Sequence, residues 1–264
     1  MNADQVKEIL VSIEDSPLEF TVVFSGKNSK KVNGLYKPET REILIHNRNF
    51  ADDNLLLYTA IHEYAHHIHA CSRNGKLPAR AHTSEFWAVF HRLLEKAEEK
   101  DVYHNVFAAS PELNALTDII RIKYLAENGE MVKNFGEKLL QARELCIKIG
   151  GRFEDYIDRI LRIPRPAATT AMKTFQYNLN AAVGPDNMRY LAGVKDDEQR
   201  ASAEQALLEG KSPDTVKMGF KKTTETDPHE RLVHEKERLE RTIETLSKRL
   251  NEITQELEKD ADFF

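Results

Sequence analysis

An apolar segment that carries four histidines and a glutamate constrains this chain more than any other feature. Residues 54–70 read NLLLYTAIHEYAHHIHA. Its length and its Leu, Ile and Ala positions predict a helix that is largely buried. Buried polar side chains without partners cost free energy, so a buried helix with these side chains needs groups that satisfy them. Metal coordination would do so.

Five residues within this segment, 62–66, form the pattern H-E-x-x-H. Two histidines four residues apart project from the same face of a helix, so His62 and His66 can reach one ion. Neutral imidazole is a good zinc ligand, and a hydrolytic zinc site keeps one position open for water. The pattern therefore predicts His62 and His66 as zinc ligands and Glu63 as a general base that accepts a proton from the attacking water.

A third ligand is needed, and the two neighbouring histidines are poor candidates. His69 is seven residues from His62, roughly 10 Å along a straight helix, so one ion cannot lie close to both. We expect His69 to lie on the surface or to contact the ligand residues without binding the ion itself. His67 points about 100° away from His66, and we expect it to be exposed to solvent.

Two residues further along the chain remain as candidates for the third ligand. His82 lies in the sequence AHTSEFW, in a predicted loop ahead of the next predicted helix. Such a loop can bring a side chain back toward the preceding helix. Glu85 lies one turn into that next helix and would supply a carboxylate ligand instead.

The segments LLLYTAIHEYAHHIHA and AHTSEFWAVF together resemble the SprT-like zinc metallopeptidases. The pattern of that family is H-E-x-x-H on a helix, followed by a histidine shortly before an aromatic pair, H-x-x-x-F-W. The resemblance covers about residues 18–100. The residues that match the ligands, the base and the aromatic pair are, in that order, His62, His66 and His82, Glu63, and Phe86-Trp87.

This resemblance implies an α+β, zincin-like domain, a Zn²⁺ cofactor and endopeptidase activity on a protein substrate. It favours His82 over Glu85 as the third ligand. Some members of the family act on DNA-associated proteins, so a DNA-associated protein or a regulator is one candidate substrate. The chain departs from the smallest members in a longer gap between the second and third ligands, and no zinc ribbon follows the domain.

The predicted elements divide the chain into three zones. Residues 1–105 hold a helical pattern, a strand within 18–26, a hairpin within 32–50 and the two helices above, which is the composition of a small α+β domain. The strand REILIHN, residues 41–47, is expected to be an edge strand beside the metal helix that can pair with an extended substrate. Residues 106–220 are predicted to be wholly helical.

The helical zone has features of a DNA-binding region. Helical patterns broken at RIPRP and at EGKSP have the spacing of helix-turn-helix units, and these segments weakly resemble phage and ParB-like proteins. Residues 138–177 contain eight Lys and Arg against four Asp and Glu. The candidate phosphate contacts are Arg152, Arg159, Arg162, Arg165 and Lys173. The alternative is the solvated face of an ordinary helical bundle.

The third zone, residues 221–264, is predicted to be a linker followed by a coiled-coil helix. Two interleaved sets of positions recur every seven residues, and all but one are apolar. They are Leu232, Leu239, Leu246 and Ile253, and Lys236, Ile243, Leu250 and Leu257. This heptad pattern favours self-association or capture of a partner helix. An amphipathic helix that folds back on its own chain is the alternative.

Composition excludes several classes of protein. The net charge of −5 argues against a nucleic-acid-binding polycation, although a local basic face is compatible with it. No signal-peptide pattern and no 18-residue apolar segment is present, so we expect a cytoplasmic protein with no membrane partner. The two cysteines, Cys71 and Cys146, are too few for a disulfide framework.

Two functions remain from the sequence. One is a zinc peptidase with a helical targeting region and a coiled-coil arm. The other is a DNA-binding or scaffolding protein that keeps a structural zinc site and has no protease activity. A structural zinc site usually has four protein ligands and needs no base. Three histidines and a glutamate therefore favour the peptidase.

Overall fold

The computed structural model describes residues 1–220 and 228–261 of the chain. It contains two compact units, Met1–Phe220 and Lys221–Phe264. The first unit is mostly helical and includes one three-stranded sheet. The α+β class predicted for the N-terminal zone is confirmed at this level. Most of the predicted linker, residues 221–227, lies outside the described residues.

The N-terminal part of the first unit contains three helices and three strands. The helices are α1 (Ala3–Ile13), α2 (Asp53–Cys71) and α3 (Ser84–Glu99). The strands are β1 (Thr21–Phe24), β2 (Gly34–Lys37) and β3 (Glu42–Ile45). β2 and β3 form the predicted hairpin, and its turn holds Pro38.

The sheet places β3 in its centre. The strand order is β1-β3-β2, with β1 parallel and β2 antiparallel to β3. The prediction that REILIHN forms an edge strand is therefore wrong, and β2 is the edge strand beside α2. The physical reason is that β1 pairs with β3 on the side that the hairpin leaves open, so β3 has a hydrogen-bonded neighbour on both sides. Ile43 and Ile45 are completely buried in the core that the sheet shares with α1 and α2.

Two capping side chains fix where the helices of the candidate site begin. Asp52 accepts a hydrogen bond from the backbone N–H of Leu55 at 2.9 Å and caps α2. Thr83 accepts one from the N–H of Phe86 at 3.3 Å and caps α3. Such caps each stabilise a helix by about 1 kcal/mol. The cap at Thr83 places His82 directly in front of α3.

Residues 106–220 contain only helical elements, as predicted. The α-helices are α4 (Pro111–Ile119), α5 (Glu127–Lys148), α6 (Phe153–Asp155), α7 (Arg165–Gln176), α8 (Pro185–Leu191), α9 (Asp197–Leu208) and α10 (Pro213–Gly219). π-helical turns at Ile120–Ala126 and Tyr156–Leu161 continue α4 and α6. The predicted breaks at RIPRP and EGKSP fall at the starts of α7 and α10.

The helical region packs against the N-terminal part through α10 and α3. Ser212, the N-cap of α10, shares a hydrogen bond of 2.8 Å with Nδ1 of His91 on α3. The proposed division near residue 105 thus falls inside one compact unit.

The second unit is a single described helix, α11 (Pro228–Ala261). The described apolar residues of the predicted seam have exposed fractions of 39–64%. They are Leu239, Ile243, Leu246, Leu250 and Ile253. The side chains of Leu232 and Leu257 lie outside what the structure describes, and the coiled coil stays a prediction. None of the described helices has the length and apolar character needed to cross a membrane.

Candidate metal centre

Three histidine side chains converge at one point in the first unit. Nε2 of His82 lies 3.1 Å from Nε2 of His62 and 3.2 Å from Nε2 of His66. One ligand nitrogen of each ring lies within 4.8 Å of the other two, so the group could hold a metal ion. Tetrahedral zinc with Zn–N bonds of about 2.0–2.1 Å separates its ligand nitrogens by roughly 3.3 Å. The three residues therefore fit a zinc ion.

Aromatic rings from α3 hold these histidines in place. The ring of Phe86 stacks on that of His66, with centroids 4.2 Å apart. The ring of Trp87 stacks on that of His82 at 5.5 Å. His82 is exposed and lies outside regular structure, so this stacking and the cap at Thr83 orient it toward α2. The aromatic pair thus positions two of the three candidate ligands.

Burial keeps the two helix histidines in the form that binds metal. Burial, together with a smaller effect of the neighbouring histidines, lowers the pKa of His62 to about 4 and that of His66 to about 3. Imidazoles with these pKa values are neutral at pH 7, as a metal ligand must be. Nδ1 of His66 is buried and has no hydrogen-bond partner among the described residues.

Glu63 lies next to the three histidines in the same cleft. Its side chain is 7% exposed. Burial raises the pKa of Glu63 to about 7, while a hydrogen bond from the backbone N–H of Tyr36 acts in the opposite direction. A carboxyl group with a pKa near the working pH can both accept and release a proton. Glu63 therefore has the properties of a general base.

The cleft has a volume of about 550 Å³ and opens between β2, α2 and the loop before α3. Residues 32–36 form one wall, and Leu77, Ala81 and His82 form part of another. Gly34 comes so close to α2 that a Cβ atom there would lie 2.9 Å from Cγ of Glu63. The edge strand thus passes directly over the candidate base.

The two remaining histidines of α2 are buried, which corrects the prediction for His67 and excludes the surface position for His69. His67 is completely buried rather than exposed. Its Nδ1 lies 3.0 Å from the hydroxyl of Tyr36, and its Nε2 lies 2.7 Å from Oγ of Ser16. The exposed fraction of His69 is 2%. The reason is that α2 packs against α1 and the sheet on one side and α3 on another, so a rotation of 100° does not reach solvent.

Glu85, the alternative third ligand, belongs to a different set of contacts. Its Oε2 lies 3.3 Å from Nη1 of Arg73 and 3.5 Å from Nε2 of His69. Among the described residues, the group that could hold an ion contains His82 and not Glu85.

Three of the five predicted phosphate contacts form ion pairs in the helical region. Arg152 lies 3.7 Å from Glu154, Arg159 pairs with Asp155, and Arg165 pairs with Asp158. Arg162 ends the π-helical turn in a left-handed conformation, with φ of 54°. Lys173 lies in the last turn of α7. These ion pairs reduce the positive potential of the segment, and DNA binding stays a prediction.

Gly34 and Tyr36 are site residues that the sequence analysis did not select. An isolated glycine within a strand pattern often marks a close approach of another group. The glycine in VNGLY carried that signal, but nothing in the sequence identified Glu63 as the group that approaches it.

No protein-family model, curated protein or solved structure matches the chain.

Proposed function

We propose that this chain is a zinc-dependent endopeptidase with a SprT-like, zincin-like N-terminal domain. The observation that carries the proposal is the convergence of three histidines beside one buried glutamate, in an open cleft edged by a strand. His62, His66 and His82 would hold the zinc ion, and Glu63 would act as the general base. The substrate would be a segment of a protein.

Each residue has a defined task in this proposal. Bound zinc supplies Lewis-acid chemistry that polarises the peptide carbonyl and makes a water molecule more acidic. Glu63 takes a proton from the attacking water and delivers it to the nitrogen of the leaving amine. The hydrogen bond from the N–H of Tyr36 and the close packing of Gly34 orient the Glu63 carboxylate.

The edge strand provides a place for the substrate backbone. β2 pairs with β3 on one side only, and its other side faces the cleft. An extended peptide can add to such an edge through backbone hydrogen bonds. Residues alternate along a strand, and the C=O of Asn33 accepts a hydrogen bond from the N–H of its strand partner His46. The backbone groups of Gly34 and Tyr36 therefore turn away from β3. The N–H of Tyr36 bonds to Glu63, which leaves the groups of Gly34 and the C=O of Tyr36 for the substrate.

The number of protein ligands supports a catalytic rather than a structural zinc site. Structural sites usually have four protein ligands, whereas catalytic sites have three and leave one position for water or substrate. Within the described residues, the group around His82 contains three potential ligands. A structural site would also give no role to a buried glutamate with a raised pKa.

Hydrolysis of an unfolded protein by the full chain tests this function. The zinc-loaded chain is incubated with denatured casein, and peptide release is followed with and without a chelator. We expect cleavage that stops with chelation and returns when zinc is added back. Intact casein after incubation with a chain that holds one zinc ion would contradict the proposal.

A further inference from the structure

The walls of the cleft contain almost no charged side chains. Of the thirteen described residues that line it, none is Lys, Arg or Asp, and Glu63 is the only carboxylate. A charged side chain that enters such a cleft away from Glu63 loses water without gaining a partner of opposite charge, which costs free energy. The walls therefore disfavour charged substrate side chains of either sign.

The rim of the cleft is apolar and exposed. The exposed fractions of Val32, Leu35 and Tyr58 are 48%, 47% and 41%. Single exposed apolar residues are common on protein surfaces. Three of them around one cleft, with a few polar groups at its floor, are the usual composition of a ligand site.

A substrate paired with β2 would lie next to these three side chains. A peptide that pairs with an edge strand brings its side chains next to those of that strand. Leu35 is the exposed side chain at the centre of β2, and Val32 lies just before the strand. Tyr58 lies on α2, one turn before His62.

We infer that the cleft binds extended peptide segments with apolar, uncharged side chains on both sides of the bond to be cleaved. Val32, Leu35 and Tyr58 select these side chains by removing apolar surface from water. This inference rests on the proposed function, because it assigns a substrate class to the same site. It predicts that cleavage occurs in hydrophobic segments that folded proteins normally bury.

Binding of three matched peptide hydroxamates tests the inference without requiring hydrolysis. The probes are Ac-Phe-Leu-NHOH, Ac-Lys-Lys-NHOH and Ac-Asp-Asp-NHOH, added to the zinc-loaded full chain. Binding is followed through the fluorescence of Trp87, the only tryptophan of the chain. We expect the apolar probe to bind at least about tenfold more tightly than either charged probe, since one apolar contact discriminates by about 10- to 200-fold.

A pair of variants on the same sheet assigns the selectivity to the rim. Leu35→Lys should weaken binding of the apolar probe and strengthen binding of the Asp-Asp probe. Val23→Lys is the matched control, because Val23 is an exposed apolar residue of β1 that does not line the cleft. It should leave all three affinities unchanged.

The outcomes separate this inference from the proposed function. Equal affinity for the three probes, or an equal effect of the two lysine variants, would overturn the selectivity. Selective binding by a chain that cleaves no peptide would uphold the selectivity and contradict the peptidase function. A failure of all three probes to bind would contradict the metal centre and the inference with it.

Discussion

Gly34 of β2 packs directly against the side chain of Glu63 on α2. A Cβ atom at position 34 would lie 2.9 Å from Cγ and 3.2 Å from Oε1 of Glu63, and 2.9 Å from Cγ2 of Thr59. Contacts shorter than 3.0 Å essentially never occur for real Cβ atoms. Any residue other than glycine must therefore move either the edge strand or the candidate base.

Substitution of Gly34 by alanine should reduce catalysis and leave metal binding intact. A displacement of a catalytic group by about 1 Å can cost on the order of 10²-fold in rate, so we expect kcat for casein-derived peptides to fall by about that factor. Bound zinc should remain at one ion per chain. The measurements are steady-state kinetics and metal analysis of the same sample.

Gly219→Ala is the matched control for this variant, because a Cβ atom at position 219 would meet nothing within 4 Å. Its kcat should equal that of the wild type. A Gly34→Ala protein with wild-type kcat would show that the contact with Glu63 has no role in positioning the base.

The stacking of Trp87 on His82 makes metal binding visible by fluorescence. Trp87 is the only tryptophan, and its ring centroid lies 5.5 Å from that of His82. A paramagnetic Co²⁺ ion bound at the three histidines should quench its emission, with saturation at one ion per chain. His82→Ala should weaken Co²⁺ binding by about 100-fold or more, because loss of a direct ligand exceeds the 10- to 100-fold effect of losing a residue that only contacts a ligand.

His91→Ala is the control for the fluorescence titration. The ring of His91 stacks on that of Trp87 with centroids 6.0 Å apart, and His91 is not part of the metal-binding group. This variant should keep the affinity of the wild type for Co²⁺. Equal titration curves for His82→Ala and wild type would remove His82 from the set of ligands.

The hydrogen bond between Tyr36 and His67 should contribute to stability. The two groups are buried, and the hydroxyl lies 3.0 Å from Nδ1 of His67. Tyr36→Phe leaves a buried ring nitrogen without this partner, so the free energy of unfolding should fall by about 1–2 kcal/mol. Urea denaturation measures it. Tyr124→Phe, at a tyrosine that is 61% exposed, should change the free energy of unfolding little. An equal loss in both variants would show that the hydrogen bond to His67 is not the cause.

Glu14 should make the stability of the first unit depend on acid pH. Burial alone would raise the pKa of Glu14, but hydrogen bonds from Lys96 and Arg92 hold it below its ordinary value of 4.5. A carboxylate with a depressed pKa stabilises the fold above the unfolded pKa, and this contribution disappears as the pH falls through the folded pKa. Stability should therefore decline below about pH 4.5.

Urea denaturation of Glu14→Gln at two pH values measures this contribution. Lys96 and Arg92 are more than a third exposed, so the loss at pH 7 should be only about 1 kcal/mol. The difference from wild type should shrink at pH 3. Glu8→Gln, at an exposed carboxylate of α1, the helix that ends just before Glu14, is the control. If the difference in free energy of unfolding between Glu14→Gln and wild type is the same at pH 3 as at pH 7, the charge of Glu14 is not responsible for it.

Local sequence pattern and helix geometry were sufficient to predict part of the fold and of the candidate site. The spacing of His62 and His66 and the hairpin of β2 and β3 depend on residues close in sequence. The position of β3 in the sheet depends on its pairing with β1, more than fifteen residues away in sequence, and the hairpin pattern does not reveal which side of β3 is covered.

The burial of His67 could not be read from the helix alone for the same reason. Its partners, Ser16 and Tyr36, lie 51 and 31 residues away in sequence. Helix geometry gives the angle between two side chains, whereas exposure depends on which other elements surround the helix. The contact between Gly34 and Glu63 is also long-range, and only the fold brings the two residues together.

The most direct test of the central claim is a paired measurement on one preparation of Glu63→Gln. Bound zinc is counted by native mass spectrometry, and casein hydrolysis is measured on the same sample beside the wild type. We expect one zinc ion per chain in both proteins and hydrolysis by the wild type alone. Hydrolysis at the wild-type rate by zinc-loaded Glu63→Gln would contradict the assignment of Glu63 as the base of a zinc peptidase.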